Sequence, residues 1–394
     1  MKKDRRLLIF VLFIVLMPSC RFITGTSTLK PSQITQKATF TSEQITTNNE
    51  HLIETPTTGP TETMRPTNTL RPTDSIHPPS STPKPFLPSD LAQIGVENIG
   101  DLGLISGIPV MEIYNLAFSH SGKKLATLSE HWEDRSDYLE VWDLLSGDQI
   151  LSQENLDAPW NPFFSPDENL LFVTYNNQGI FIYDLVQQKV VRTLDISADW
   201  SDFSPDGKSI AVGDYLGTPE ESTIRLIDLE TEEERFASTI PGMVMDINFS
   251  PDGSLLTSGF QSSNHFRELV WDISTQEIVA DLMDYDYLLT FSADNSLAAL
   301  AKGGEIYILS TEGWVLIASY GSEDPYRTMK PRDFSLNGDI LAVEDRYNIV
   351  FLETNTGEEL FTLPKECDAR FSPQGTTLLT WCYQGELKIW GVIP

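Results

Sequence analysis

A five-residue stretch, Phe249-Ser250-Pro251-Asp252-Gly253, constrains this chain more than any other feature because the chain repeats it seven times. Its relatives begin at Phe118, Phe164, Phe203, Phe291, Phe334 and Phe371. Successive phenylalanines are 46, 39, 46, 42, 43 and 37 residues apart. A period near 40 residues that carries strand patterns is typical of propeller blades. The sequence therefore predicts an all-β fold, a seven-bladed β-propeller.

The repeated stretch has the composition of a tight turn. Proline fixes φ for the second position, aspartate suits the third, and glycine accepts the positive φ that follows. Asn295, which replaces glycine in the fifth repeat, also tolerates positive φ, whereas Glu168 in the second repeat does so poorly. We therefore expect the second blade to turn differently at Glu168.

Each repeat continues with apolar runs that predict four short strands. One run ends in an aromatic or aliphatic residue and usually a carboxylate, as in Val141-Trp142-Asp143 and Val270-Trp271-Asp272. Another turn and a fourth run follow. The aspartate at the start of this second turn invites a catalytic interpretation, but its position favours capping of turn amides.

With these motifs the chain resembles the WD-repeat family from about residue 91 to residue 394. The resemblance implies antiparallel four-stranded blades, and it indicates little about function, since family members mostly present surfaces to partners. The Gly-His pair that usually opens a repeat is absent, so the family's buried His-Asp network is not expected. The resemblance also implies that an amino-terminal strand completes the last blade, and we assign Leu102–Ile105 to that role.

The first 90 residues have a different character. Residues 1–19 combine a basic start with the apolar run Leu7–Met17, which is too short to span a bilayer and is typical of a signal peptide. Met17-Pro18-Ser19-Cys20 resembles a bacterial lipoprotein processing box, which implies cleavage before Cys20 and its lipidation. An ordinary secretory signal is the alternative.

Residues 20–90 are rich in Thr, Ser and Pro and are expected to be a disordered linker.

Charge and composition exclude several function classes. The net charge of −30 repels phosphate backbones, so nucleic-acid binding is not expected. No Gly-x-Ser-x-Gly motif occurs, and the Asp-Gly spacing of Asp252-Gly253 does not fit a sialidase Asp-box. No His or Cys pair has metal-ligand spacing, so we expect no metal centre and no cofactor. A calcium ion bound by loop carboxylates stays open.

Three loops between the second and third strands are long, at 130–137, 214–222 and 260–267. In WD-type blades such loops share a face with the starts of the first strands, where further aromatic residues lie. Aromatic side chains with arginine are typical of binding hot spots. The alternative is that most of these rings pack between blades. The candidate interaction face consists of His131, Trp132, Trp160, Trp200, Tyr215, Phe260, Phe266, Arg267, Tyr287 and Tyr326, with Tyr114, His265 and Tyr285 nearby.

Two cysteines besides Cys20 lie in the last repeat, on either side of its turn. A register with Phe371 opposite Leu378 places Cys367 opposite Cys382, and an exported protein can keep the resulting disulfide. The alternative register, with Ser372 opposite Thr376, puts the cysteines on opposite faces and forbids the bond.

The sequence thus favours an exported, lipid-anchored, monomeric propeller that is not an enzyme and that binds a protein or peptide, with a basic partner favoured by the charge. The rival hypothesis is a propeller enzyme of lactonase or glycosidase type with carboxylates converging at the channel. A third is an accessory protein of envelope assembly.

Overall fold

A computed structural model of the protein describes residues 87–88, 90–110, 112–131, 135–175, 178–196, 198–215, 221–262, 265–283, 287–321, 328–382 and 386–394. The expected signal peptide, Cys20 and nearly all of the expected linker lie outside the described residues.

The described chain forms seven four-stranded antiparallel sheets, which are the seven blades of a propeller. A short 3-10 helix at Ile99–Asp101 precedes the first strand. The strands are β1 Gly103–Ile108, β2 Ile113–Phe118, β3 Lys124–His131, β4 Ser136–Asp143, β5 Gln149–Leu156, β6 Pro159–Phe164, β7 Leu170–Tyr175, β8 Gly179–Asp184, β9 Lys189–Leu194, β10 Trp200–Phe203, β11 Ser209–Tyr215, β12 Glu221–Asp228, β13 Glu234–Pro241, β14 Met243–Phe249, β15 Leu255–Ser262, β16 His265–Asp272, β17 Glu277–Met283, β18 Tyr287–Phe291, β19 Leu297–Lys302, β20 Glu305–Ser310, β21 Val315–Gly321, β22 Met329–Phe334, β23 Ile340–Asp345, β24 Asn348–Glu353, β25 Glu359–Pro364, β26 Asp368–Phe371, β27 Thr377–Trp381 and β28 Leu387–Gly391.

Blades 1 to 6 each use four consecutive strands. The first strands of blades 1 to 4 contact each other in turn, and so do those of blades 5 to 7. The last blade has the order β26-β27-β28-β1, so a strand from the start of the propeller completes it. Gly103 pairs with Gly391 and Ile108 with Leu387. The prediction that residues around Leu102–Ile105 close the ring is therefore confirmed, with the strand extending to Ile108.

The hydrophobic core is divided among the interfaces between neighbouring blades. Phe203, Ile210 and Val212 of blade 3, for example, are buried against Phe172 and Ile182 of blade 2. The interface between blades 7 and 1 is equally apolar and joins Leu379, Trp381 and Ile389 to Leu125 and Ile113. Both faces of each blade are thus covered, which explains strands with long apolar runs rather than strict alternation.

The repeated turn is held by its own side chains. Ser250 donates to Asp252 Oδ1 at 3.0 Å and accepts from the backbone N–H of Leu255 at 2.9 Å. Gly253 has φ of 72° and donates to the carbonyl of Ser250 at 2.8 Å. A Cβ on Gly253 would lie 3.2 Å from Pro205 Cδ of the preceding blade. Glycine therefore serves both the turn and the close packing of successive turns around the ring.

The expectation that blade 2 turns differently at Glu168 is wrong. Glu168 takes φ of 57° and donates its N–H to the carbonyl of Ser165 at 2.8 Å, as glycine does in five other blades and Asn295 does in blade 5. Its carboxylate accepts hydrogen bonds from the backbone N–H and hydroxyl of Ser121 in blade 1. These contacts between blades offset the strain of the left-handed conformation, which costs about 1–2 kcal/mol.

Among the residues that the structure describes, no helix is long and apolar enough to cross a membrane.

Candidate functional site

A row of three aromatic side chains crosses the first three blades at the end where the inner strands begin. The rings of Tyr114 and Trp160 are stacked, with centroids 6.3 Å apart and an interplanar angle of 17°. Trp160 meets Trp200 edge to face, with centroids 5.6 Å apart and an angle of 89°. The sequence predicts these three residues on or near one face, and the structure brings them into contact. We call them the aromatic row.

The strand pattern explains why the three rings meet. Tyr114, Trp160 and Trp200 occupy the first or second position of β2, β6 and β10, which are neighbouring inner strands. The hydroxyl of Tyr114 donates to the carbonyl of Pro159 at 3.1 Å, and Asn115 Nδ2 donates to the carbonyl of Trp160 at 2.8 Å. These bonds fix blade 2 against blade 1, so the row is part of a rigid scaffold.

The aromatic row is accessible. The side chain of Trp160 is 40% exposed, while Tyr114 and Trp200 are half-buried on either side of it. An exposed tryptophan supported by two neighbouring rings offers a large, rigid apolar contact at small cost in side-chain entropy. The centre of the row is therefore open to solvent, while its two ends pack more deeply.

Acidic groups surround the row. Burial, followed by the negative charges of Asp137 and Glu130, raises the pKa of Tyr114 above its ordinary value. Burial and the charge of nearby Asp199, which precedes Trp200, likewise raise the pKa of Asp214. The phenol of Tyr114 therefore stays protonated and remains a hydrogen-bond donor, and the surface favours cations over anions.

One aromatic residue at the same end escaped the sequence analysis. Tyr347 lies in the two-residue turn between β23 and β24, and it is 74% exposed. Turns between second and third strands lie on the side of the aromatic row. A large aromatic side chain in so short a hairpin turn cannot reach the core. An aromatic residue in a predicted two-residue turn was therefore the sequence signal for its exposure.

Two expectations about the face are wrong. Phe260 is only 1% exposed, because it lies within β15 and packs in the core between blades 3 and 4. The segment 260–267 is not a long loop either. β15 continues to Ser262 and β16 begins at His265, so paired strands replace most of the expected loop.

Arg267 and Phe266 lie on β16 and are half-buried. Arg267 Nε donates to Asp281 Oδ1 at 2.6 Å, and its guanidinium carbon lies 5.9 Å from the ring centroid of Phe260. The charge of Arg267 is therefore already paired within its own blade, which makes it a weaker anchor than the sequence suggested.

Several candidates cannot be placed beside the row. Trp132, Tyr285 and Tyr326 lie outside the described residues, and so do the side chains of His131, Tyr215, His265 and Tyr287.

The aspartates that begin the second turn of the blades act as predicted. Asp143 Oδ1 accepts from the backbone N–H groups of Leu145 and Ser146, both at 2.9 Å. Asp184 and Asp228 cap the corresponding turns of blades 2 and 3 in the same way.

Two aspartates on inner strands form bonds that the sequence analysis missed. Asp202 Oδ1 accepts from the N–H of Phe203 at 2.9 Å, and its Oδ2 accepts from the N–H of Phe249 in blade 4 at 2.7 Å. Asp333 does the same with Phe334 and with Phe371 of blade 7, at 3.0 and 2.8 Å. Inner strands are sheet edges with unpaired N–H groups, and these carboxylates satisfy them. Both residues precede the phenylalanine of a repeated turn, a position that could have signalled the role.

The channel side of blades 6 and 7 carries an ion-pair network. Arg332 Nη1 lies 3.1 Å from Asp368 Oδ2, and Arg332 also pairs with Glu344. Burial raises the pKa of Asp202 and of Asp333 to about 6, and it raises the pKa of Asp368 as well. The positive charge of the exposed Arg370 opposes this shift at all three carboxyl groups. Carboxylates do gather near the channel, but those of Asp202 and Asp333 are held by backbone amides and those of Asp368 and Glu344 by Arg332.

The register of the last blade is the one that brings its cysteines together. Phe371 pairs with Leu378, and the sulfurs of Cys367 and Cys382 are bonded, with Cα atoms 4.8 Å apart. Within the described residues, no group of three or more His, Cys, Asp or Glu side chains is arranged to hold a metal ion.

The fold is similar to a solved structure, the β-propeller domain of Cps50 (Swd1) from Myceliophteria thermophila. The TM-score is 0.59 at 15% sequence identity, and the match covers 74% of this chain and 99% of that chain. At this identity the likeness shows the fold alone. No family model and no curated protein matches the chain. The protein is therefore a seven-bladed β-propeller with a WD-repeat-like fold.

Proposed function

We propose that the protein is a non-catalytic binding or scaffold module, and that the aromatic row is the centre of its docking surface. The single observation that carries the proposal is the contact of Tyr114, Trp160 and Trp200 at the acidic mouth of the propeller. Interface hot spots are enriched in tryptophan and tyrosine that combine apolar area with a polar group.

The partner is proposed to be a protein or peptide segment with basic side chains. The net charge of −30 and the carboxylates near Tyr114 and Trp200 favour a cationic partner and speed its association. Lysine or arginine side chains can also lie over the faces of tryptophan and tyrosine rings. A propeller fold is consistent with such a role, since it presents loops on a rigid ring.

The proposal extends to location. The apolar run at Leu7–Met17 and the residues Ser19-Cys20 support export and lipid anchoring at the bacterial cell envelope, with the propeller facing outward as a monomer. The expected linker would let the propeller reach partners about 45 Å from the membrane surface as a flexible chain.

The engaged carboxylates support the non-catalytic proposal. A glycosidase needs two carboxyl groups free to act as acid and as base or nucleophile. Asp202 and Asp333 each use both oxygens for backbone N–H groups of two blades.

Site-specific photo-crosslinking in the native envelope tests the proposal. A photoreactive phenylalanine analogue replaces Trp160 in the full chain, and in a second protein it replaces Leu145, which is 47% exposed on a turn at the opposite end of the strands. We expect position 160 to form a discrete crosslinked product with a basic protein and position 145 to form none. Identical products from both positions, or none from position 160, would contradict the proposed docking surface.

A further inference from the structure

Two buried carboxyl groups meet inside blade 4, beneath the end that carries the aromatic row. Asp246 on β14 and Glu268 on β16 both pair with Gly259, which lies on the strand between them. A Cβ on Gly259 would come within 1.9 Å of Asp246 Oδ1 and 2.8 Å of Glu268 Oε2. The two carboxyl groups therefore occupy together the space that the missing side chain leaves.

Neutral hydrogen-bond donors balance this pair only in part: the Thr257 side chain bonds Glu268, and the backbone of Gly259 bonds Asp246. Glu268 is nine-tenths buried, and its Oε1 has no hydrogen-bond partner. Asp246 Oδ2 accepts from Asn248 Nδ2 at 3.0 Å, and among the described residues no basic side chain pairs with either carboxyl group. Leaving one ionised carboxylate buried without a counter-charge is costly, and two adjacent ones repel each other as well. Either a shared proton or a bound cation must compensate.

We propose that Asp246 and Glu268 are ligands of a calcium ion held over Gly259. Two carboxylates match the charge of a divalent ion, and the buried Glu268 Oε1 has no hydrogen-bond partner of its own. Asn248 offers its side-chain amide oxygen as a further ligand if the amide group is flipped. The buried hydroxyl of Thr257 lies close to Asn248, since it donates to the backbone carbonyl of Asn248 at 3.3 Å.

The donor set selects calcium among the common metals. All available groups are oxygens, which disfavours zinc and copper. Magnesium keeps several waters in a strict octahedron, whereas calcium accepts six to eight oxygens of mixed kind in flexible geometry. An ion bound here would link the first and third strands of blade 4 across Gly259. It would also stabilise β16, which carries Phe266 and Arg267 near the candidate face.

The pair lies outside the aromatic row, so this proposal does not depend on the proposed function. The test uses the full chain after dialysis against a chelator, and the probe is calcium chloride alone. Isothermal titration calorimetry should show one site, and calcium should raise the melting temperature. Glu268→Gln and Asp246→Asn should abolish both effects, while Glu233→Gln, at an exposed glutamate, should bind calcium like the wild type.

Gly259→Ala provides a second test of the calcium site, because the added methyl group must displace the Asp246 carboxyl group. It should bind calcium more weakly than the wild type even though both carboxylates are present. The proposal is overturned if calcium has no effect on the wild type, or if Glu268→Gln binds it equally well. If the melting temperature falls from pH 5 to pH 8 without responding to calcium, and falls less in Glu268→Gln, the pair shares a proton instead of binding calcium.

Discussion

The carboxylate of Asp202 in blade 3 accepts a hydrogen bond from the backbone N–H of Phe249 in blade 4, with a distance of 2.7 Å. Its other oxygen accepts from the N–H of Phe203 in its own strand at 2.9 Å. One side chain thus joins two inner strands that the sheets themselves do not pair. Asp333 repeats the arrangement between blades 6 and 7.

Asp202→Ala should therefore destabilise the propeller. The change leaves the Phe249 N–H without its acceptor, and an unsatisfied buried donor costs about 1–3 kcal/mol. Urea denaturation followed by circular dichroism measures the free energy of unfolding. Asp195→Ala, at an exposed aspartate after β9, is the control and should change stability little. Equal stability of Asp202→Ala and the control would contradict the clamp role.

Stability should also depend on pH through these clamps. Burial raises the folded-state pKa of Asp202 and of Asp333 to about 6. Because a carboxyl group in the unfolded chain ionises near pH 4, the folded state retains the protons over the interval between. The free energy of unfolding should thus fall as the pH rises from about 4 to about 6 and beyond. Denaturation at pH 5 and pH 7.5 measures it.

A double variant isolates that effect. Asp202→Asn with Asp333→Asn cannot ionise at either position, so its stability should differ less between pH 5 and pH 7.5 than that of the wild type. A wild type that becomes more stable at the higher pH, or a double variant with the same dependence, would show that other groups set the profile.

Ring closure by β1 predicts a large difference between two truncations. Removing residues 1–90 leaves β1 and the buried side chains of Ile94 and Ile99 in place. Removing residues 1–108 takes away the fourth strand of the last blade and exposes β28, which should cost several kcal/mol. Thermal unfolding compares the two proteins. Similar melting temperatures would mean that the propeller does not need β1.

The disulfide predicts a response to reduction. Cys367 and Cys382 are 15 residues apart, and a loop of that length is worth about 3 kcal/mol in the chain-entropy model. Cys382→Ser should lower the free energy of unfolding by a comparable amount in oxidising buffer. Reducing agent should lower that of the wild type and leave the variant unchanged. Two reactive thiols in the denatured, unreduced wild type, with Cys20 blocked or replaced, would rule the bond out.

The sequence predicted what depends on local chemistry. Seven turns with the residues of Phe249–Gly253 fixed the number of blades, and aspartates such as Asp143 cap turns because the geometry involves only a few neighbouring residues. Ring closure by an amino-terminal strand followed from the resemblance to the WD-repeat family. The register of the last blade needed the structure, since two pairings of Phe371 and Ser372 were open.

What the sequence could not predict depends on contacts between blades. Glu168 adopts a conformation that its backbone disfavours because Ser121 of the neighbouring blade holds its carboxylate. Phe260 is buried although it lies near a loop, because both faces of its blade pack against neighbouring blades. The spacing of apolar residues along such a strand does not show which side chains face solvent. Asp246 and Glu268 lie on different strands. Their carboxyl groups meet only because the residue between them on the middle strand, Gly259, has no side chain.

The affinity of the crosslinked partner for variants of the aromatic row tests the central claim most directly. Trp160→Ala should weaken binding by roughly 1–2 kcal/mol, since it removes the exposed ring at the centre of the row, with an unchanged circular dichroism spectrum. Leu145→Ala should bind the partner like the wild type. Raising the salt concentration from about 50 mM to 500 mM should weaken the binding of a basic partner to the wild type and to Leu145→Ala alike. Wild-type affinity in Trp160→Ala, or an equal loss in Leu145→Ala, would contradict the account.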